Sequence, residues 1–423
     1  MRQCLALLAL CVGVCLAHAG DVPTLPTRDL VQAAKIVASS RPGGGSWKTV
    51  RFLSFSNLDP AQREQDKRTT RMALATVQPS SWPLGDCVAE LTPELWAVDI
   101  VRMGWPKGAW EAMSENWPYY ASMPAMLTER FEATMGTRFP LMRADVFVED
   151  CWNSRWYAKF LNLPKTRDDF FALHGLHQSG AEAFGVVANN LTVLQHPGKV
   201  ARYKDGEGRS IWLRMNYSDR RGRNDSVKHP TNFDCHYNEC SFELPNGLDA
   251  YISFEGDTGH LSRFADTKIA QTRSGRAVEL GRSCFECHRS GTKTLDHAEP
   301  LTSLGEIAAG LMRKRFDRNT LTALVVKDRE RWARALKAVT GDTPVAWSRG
   351  LDSLQERYRK DLTISDVAQE LGVDVAVLRQ RAASVKGLWG DRETSRERFE
   401  ELFPELRALF QEEDARHIRG ALR

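Results

Sequence analysis

Cys284-Phe285-Glu286-Cys287-His288 constrains this chain more than any other stretch of it. Two thiols three positions apart can add to the two vinyl groups of one haem, and the imidazole that follows can face the iron, so the spacing reads as a covalent c-type haem site. Three other uses of the same residues are a disulfide, half of a zinc site and a redox Cys-x-x-Cys pair. A zinc site needs further thiols or imidazoles nearby, and a thioredoxin-type site needs the pair between a strand and a helix. Neither context is plain around residue 284.

The N-terminus bears on how the remaining cysteines are read. Arg2 precedes an apolar run over residues 4–16, and Ala17-His18-Ala19 stands before Gly20. This is the pattern of a secretory signal peptide cleaved after Ala19, so the expected mature protein is exported and periplasmic. The run is too short to span a bilayer, and no later stretch is long and apolar enough to do so. With 423 residues there is material for two domains with real cores, and a net charge of +4 implies neither a nucleic-acid nor a membrane partner. Cys4, Cys11 and Cys15 leave with the signal, and the motif takes two more. Cys87, Cys151, Cys235 and Cys240 remain, an even number that favours two disulfides in an oxidising compartment, with Cys235 to Cys240 closing a short loop. A metal site of Cys235, His236 and Cys240 is the alternative there, and it lacks a fourth ligand.

Along the chain, residues 27–39 have apolar positions at helical spacing, 47–55 alternate as a strand, and Asp59-Pro60 predicts a helix start running towards residue 77. Residues 95–101 read as a strand, and short helices follow near Trp110, Met126 and Tyr157. Eight of the twelve tryptophans lie between Trp47 and Trp156, scattered through alternating elements as core residues are. Residues 211–217 look extended. Residues 240–244 and 248–254 flank Pro245-Asn246-Gly247 as a hairpin, with Asn-Gly supplying positive φ. Arg273-Ser274-Gly275-Arg276 reads as a hinge. Beyond His288 the pattern is helical. Ser303 and Glu306 have capping-box spacing, Asn319 or Thr320 can cap a helix to residue 339, and residues 363–373 and 376–381 resemble a helix-turn-helix. Acidic residues on its first helix, in an exported chain, favour packing over DNA binding. A last amphipathic segment covers 396–417. The expected fold is α+β: a mixed sheet-and-helix companion domain over 20–272, then a mostly helical haem c domain over 273–423.

Several short landmarks resemble those of a family of exported bacterial mono-haem c-type cytochrome (cytochrome c domain-containing) proteins. They are Phe52-Leu53-Ser54-Phe55, Val98-Asp99-Ile100 with Gly104-Trp105, Arg143-Ala144-Asp145, Asn189-Asn190 with His196, His229-Pro230, Leu244-Pro245-Asn246-Gly247-Leu248, the Cys-x-x-Cys-His motif, and residues 367–372. The resemblance covers most of the mature chain and implies that the non-haem part is a standing companion of the haem segment. The Cys235 and Cys240 pair departs from the family's pattern.

The cofactor expected is one covalent haem c, held by Cys284 and Cys287, with His288 as proximal iron ligand. A methionine on the opposite face raises the reduction potential, a second histidine lowers it, and an open face permits ligand or peroxide chemistry. Met312 is the only methionine after His288, and His229 stands in the His-Pro landmark; these are the first candidates for the distal position, followed by His196, His260 and His297. Arg282 and Arg289 flank the motif and are candidate partners for haem propionates. Glu149-Asp150 reads as a solvated surface pair rather than a general acid and base. The leading expectation is a one-electron carrier serving a redox partner protein. A haem enzyme such as a peroxidase or oxidase, a gas sensor with an open distal site, and a binding protein with a structural or regulatory haem are the alternatives.

Overall fold

Residues 50–54 are buried at every position, on both faces of the strand they form, so this strand has to be covered on both sides. In the computed structural model, which describes residues 24–39, 46–117, 124–177, 180–187, 198–216, 235–265, 277–293, 318–385 and 393–422, it is β1 (Val50–Ser54) at the inside of a four-stranded sheet. The strand order is β2 (Val88–Thr92), β3 (Leu95–Asp99), β1 and β4 (Leu141–Arg143); β3 runs antiparallel to β1, and β4 parallel to it. Trp47–Thr49, expected in the strand, forms a 3₁₀ turn instead, because the Ser46 hydroxyl accepts from Lys48 N and caps it. The helix expected from Asp59-Pro60 begins at Arg63 and ends at Thr76. Asp59 first closes a turn of its own, its carboxylate accepting from Ala61 N and its carbonyl from Gln62 N.

The second sheet is an antiparallel meander of β5 (Ala183–Val187), β6 (Gly198–Lys204), β7 (Ser210–Asn216), β8 (Tyr237–Glu243) and β9 (Asp249–Glu255). The predicted β8–β9 hairpin is present. Its turn takes positive φ only at Gly247 (+84°), where Gly247 N donates to Leu244 O. Asn246 works through its side chain, accepting from Leu248 N and donating to Ala75 O at 2.7 Å, which pins the hairpin to the helix Arg63–Thr76.

The long helix Arg318–Thr340 lies over this sheet. Asp328, 1 % exposed, accepts from Arg202 Nε (2.9 Å) and Nη2 (3.0 Å), from Trp212 Nε1 (2.8 Å) and from Arg331 Nη1 (2.9 Å). Leu321 and Val325 pack on Ala183, Val200 and Trp212 beside it. The larger core is contiguous from Leu30 to Ile418. It joins Phe52 and Trp96 of the first sheet to Trp332, Trp347 and Phe399 of the C-terminal helices, across the expected boundary near residue 272. That boundary, with the hinge at 273–276 and the capping box at Ser303, lies outside the described residues. Trp96, Trp110, Trp152 and Trp347 are fully buried and Trp105, Trp117 and Trp156 nearly so, as the core reading requires, while Trp82 is exposed.

Cys87, Cys151, Cys235 and Cys240 are free thiols, contrary to the expected disulfides. The Cys235 thiol donates to the carbonyls of Asn216 and Tyr237, whereas Cys240 lies within β8 opposite Leu213 with its thiol towards Ser241 O, so the two sulfurs have separate partners. Among the described residues no three His, Cys, Asp or Glu side chains converge to hold a metal ion, so Cys235, His236 and Cys240 form no such cluster.

The helix-turn-helix pattern is a packing device. Thr363 and Asp366 close a capping box on the helix Ile364–Leu371, and Gly372 ends it with φ +67°. The Gly372 carbonyl accepts from Arg28 Nη2, which ties the turn to the helix Leu25–Ser39. Glu370 bridges Arg143 at the end of β4 and Arg396 at the start of the helix Arg396–Ala408. Burial alone would raise this carboxyl, but the two guanidinium groups outweigh it and hold its pKa at about 2. A folded-state pKa below the unfolded value contributes stability that is present above roughly pH 4.3 and is lost as pH falls towards 2. E370Q should therefore cost about 3 kcal/mol at pH 7, and urea titrations should show the gap to wild type closing between pH 5 and pH 2.

Candidate functional site

The motif helix Arg282–Cys287 has six residues, too few to be stable on its own. Tertiary contacts set it in place. Gly281 precedes it at φ +82°, where a Cβ would come within 2.4 Å of Trp152 O and 3.0 Å of the Tyr157 ring, so no other residue fits. The Ser283 hydroxyl accepts from Glu279 N, and the Glu279 carboxylate accepts from Ser154 N. Phe285, between the two cysteines, is 3 % exposed and stacks on Trp152 with ring centroids 4.8 Å apart. Tyr251 and Tyr157 meet it edge-on at 5.0 and 5.8 Å, and the Tyr157 hydroxyl accepts from Tyr251 N.

His288 ends the helix, its N–H donating to Cys284 O at 2.8 Å. The chain then turns at Gly291, φ +78°, whose Cα faces the Trp332 ring at a distance where a Cβ would be 3.0 Å from it. This turn puts Gly291 O 3.4 Å from His288 Nδ1. Since a carbonyl only accepts, Nδ1 carries the proton and the lone pair resides on Nε2. Burial pushes the imidazole down to about 4, reinforced by the Lys293 cation and, more weakly, by Arg214. His288 is therefore neutral at physiological pH and presents Nε2 as a metal ligand would. Burial raises the Cys284 thiol well above its ordinary range, with the Glu239 carboxylate acting in the same direction, and Lys293 Nζ lies 3.4 Å from Cys287 Sγ. Both thiols are free and partly accessible.

The meander supplies the opposite wall. Tyr251 of β9 lies 5.2 Å from the His288 ring. It pairs with Ser241 of β8, and Glu239, two residues back, shares that face with its register partner Arg214 of β7. Arg214 Nε donates to Asn216 Oδ1 at 2.9 Å, while Arg214 Nη2 has no partner. Burial raises Glu239, against the opposing pull of Arg214, Asn216 and Lys293.

The flanking arginines are placed differently from their expected role. Arg282 Nη2 is 3.6 Å from Glu149 Oε1 and 3.6 Å from Asp150 Oδ1, and it donates to Glu149 O. Arg289 pairs with Asp352 and reaches Ser348 Oγ. Both guanidinium groups thus have protein carboxylates as partners, and each keeps one unpartnered Nε–H. Glu149-Asp150 is no surface pair: Glu149 is buried and also accepts from Arg359, and Asp150 is raised to about 6 by burial against the pull of Arg282. These two carboxylates anchor the first residue of the motif helix. Of the distal candidates, His229, Met312, His196 and His297 lie outside the described residues, and His260 is exposed at a bridge to Thr166. Arg214 and Glu239 escaped the sequence reading because nothing local marks them; only strand register brings them opposite the motif.

No protein-family model, no curated protein and no solved structure matches the chain. The chemistry of the site therefore rests on its own residues. The donor set, two free thiols and a neutral imidazole with its second nitrogen already hydrogen-bonded, suits a covalently held haem. Gly291→Ala should cost about 1–3 kcal/mol, because it forces a positive φ and pushes a methyl group into Trp332. Urea denaturation of the purified variant is the measurement.

Proposed function

We propose that the chain is an exported, periplasmic mono-haem c-type cytochrome that passes single electrons to and from a redox partner protein, as the resemblance of its landmarks implies. The observation that carries this reading is the 3.4 Å approach of His288 Nδ1 to the Gly291 carbonyl, next to two free thiols on the motif helix. A metal-binding imidazole needs its other nitrogen held by an acceptor, and a fixed tautomer has no evident use in a disulfide or a redox dithiol. In this reading Cys284 and Cys287 would hold the haem through its vinyl groups and His288 would supply an iron ligand through Nε2. When bound, haem c supplies one-electron exchange between its ferric and ferrous states.

The chain's own residues do the rest. The Tyr251 ring packs against the imidazole of His288, and Phe285 backs Tyr251 edge-on. Burial keeps His288 unprotonated, so metal ligation has no proton to displace at neutral pH. His229 or Met312 would be the second iron ligand, as the sequence expects. Expressed with its leader in a host that matures c-type cytochromes, the protein should begin at Gly20, retain haem through acid extraction, and show six-coordinate low-spin bands unaffected by carbon monoxide. C284A/C287A should lose the covalent haem, and substitution of His229 or of Met312 should identify the sixth ligand by its spectral change. High-spin ferrous haem that binds carbon monoxide at once would replace the electron carrier with an enzyme or sensor. Wild type with no covalent haem would sink the proposal.

A further inference from the structure

Arg214 and Glu239 face one another in register across β7 and β8, the arrangement in which opposite charges on one sheet face normally close an ion pair. They do not close one. Arg214 Nε is taken by Asn216 Oδ1 and its Nη2 is buried with no partner, while the Asn216 amide lies against the Glu239 carboxylate. Across from them, Lys293 Nζ has the Cys287 sulfur within reach. Among the described residues, the charged groups around this recess are the Arg214 and Lys293 cations and the Glu239 carboxylate, beside Cys284, Cys287, His288, Tyr237 and Tyr251. Arg214 Nη2 is buried, and a buried donor left without an acceptor costs about 1–3 kcal/mol until one arrives. The unpartnered Arg214 Nη2–H, with the Lys293 ammonium across from it, offers the charged donors that a carboxylate accepts.

We propose that Arg214, with Lys293, forms a carboxylate-binding site that faces the Cys284–His288 segment. Two sources share this chemistry: a propionate of the attached haem, in which case the proposal rests on the haem reading, and a free small carboxylate, in which case it does not. Arg282 and Arg289, though nearer the motif in sequence, already have Glu149, Asp150 and Asp352 as partners, whereas Arg214 has no charged partner within ion-pair distance among the described residues.

The test uses the full chain in two forms, haem-loaded from a maturation-competent host and haem-free from a host without that machinery, each as wild type, R214Q and R214K. In the loaded form the readouts are haem stoichiometry, the propionate bending band in resonance Raman spectra and the reduction potential. In the haem-free form the readout is acetate binding by calorimetry. If the ligand is a propionate, R214Q shifts the propionate band and lowers the potential, because a cation near the iron favours the ferrous state; haem stoichiometry is unchanged, and R214K, which keeps the charge without the fork, loses the band position but only part of the potential. If the ligand is a free carboxylate, the haem-free wild type binds acetate and R214Q binds it about tenfold or more weakly. Either pattern supports the site and names its source. R214Q that folds by circular dichroism and matches wild type in both forms overturns it, and K293Q carries the same comparison if R214Q does not fold. Wild type without covalent haem would sink the haem reading alone, leaving the acetate titration to decide the site.

Discussion

Phe285 is the contact on which the placement of the motif depends. A helix of six residues cannot hold itself, and its two thiols and imidazole are useful only if they are presented together in one orientation. Phe285 fixes that orientation by inserting between Trp152, Tyr157 and Tyr251, three rings that come from two widely separated parts of the chain. Rotating the helix would withdraw an almost wholly buried ring, at a cost of about 3 kcal/mol or more. Gly281 and Gly291 bracket the segment with positive φ, and each packs its bare Cα against an aromatic side chain, so the chain enters and leaves the site by fixed paths.

Around this anchor the long-range ion pairs join early parts of the chain to late ones. Glu149 receives Arg282 and Arg359, Asp328 receives Arg202, and Glu370 receives Arg143. Pairs as buried as these return little net stability once desolvation is counted. Their effect is to select one arrangement of sheets and helices, since a shifted helix would leave a buried charge alone. The recess beside His288 breaks this habit among the described residues: there Arg214 and Glu239 stand in register without an ion pair, and Arg214 Nη2 is left unpartnered.

The same contrast separates what could be read along the chain from what could not. The extended stretches at β7 and β9 and the apolar spacing of the helices from Leu25 and Ile364 were legible in the sequence to within a residue or two, whereas β8 begins earlier than its pattern suggested and β5 and β6 carried no local mark. Ends were less legible, because caps compete: Ser46 turns Trp47–Thr49 into a 3₁₀ helix and Asp59 spends its side chain on a turn before Arg63. Counting cysteines suggested disulfides, yet Cys87, Cys151 and Cys240 are buried as apolar side chains and Cys235 rests its thiol on backbone carbonyls. Proximity in sequence suggested that Arg282 and Arg289 were free for a ligand, whereas the fold had already given them carboxylates.

The sequence by itself determined the chemistry of the motif, since the spacing of Cys284, Cys287 and His288 is a local property that no packing can change, and it determined the α+β character through its two periodicities. Tertiary structure alone decided the surroundings: which carboxylates neutralise Arg282 and Arg289, that Gly291 O holds His288 Nδ1, and that Arg214 and Glu239 stand opposite the motif. Contacts between residues so far apart in the chain depend on strand register and on the burial of shared aromatic rings, and neither leaves a mark in the order of the residues.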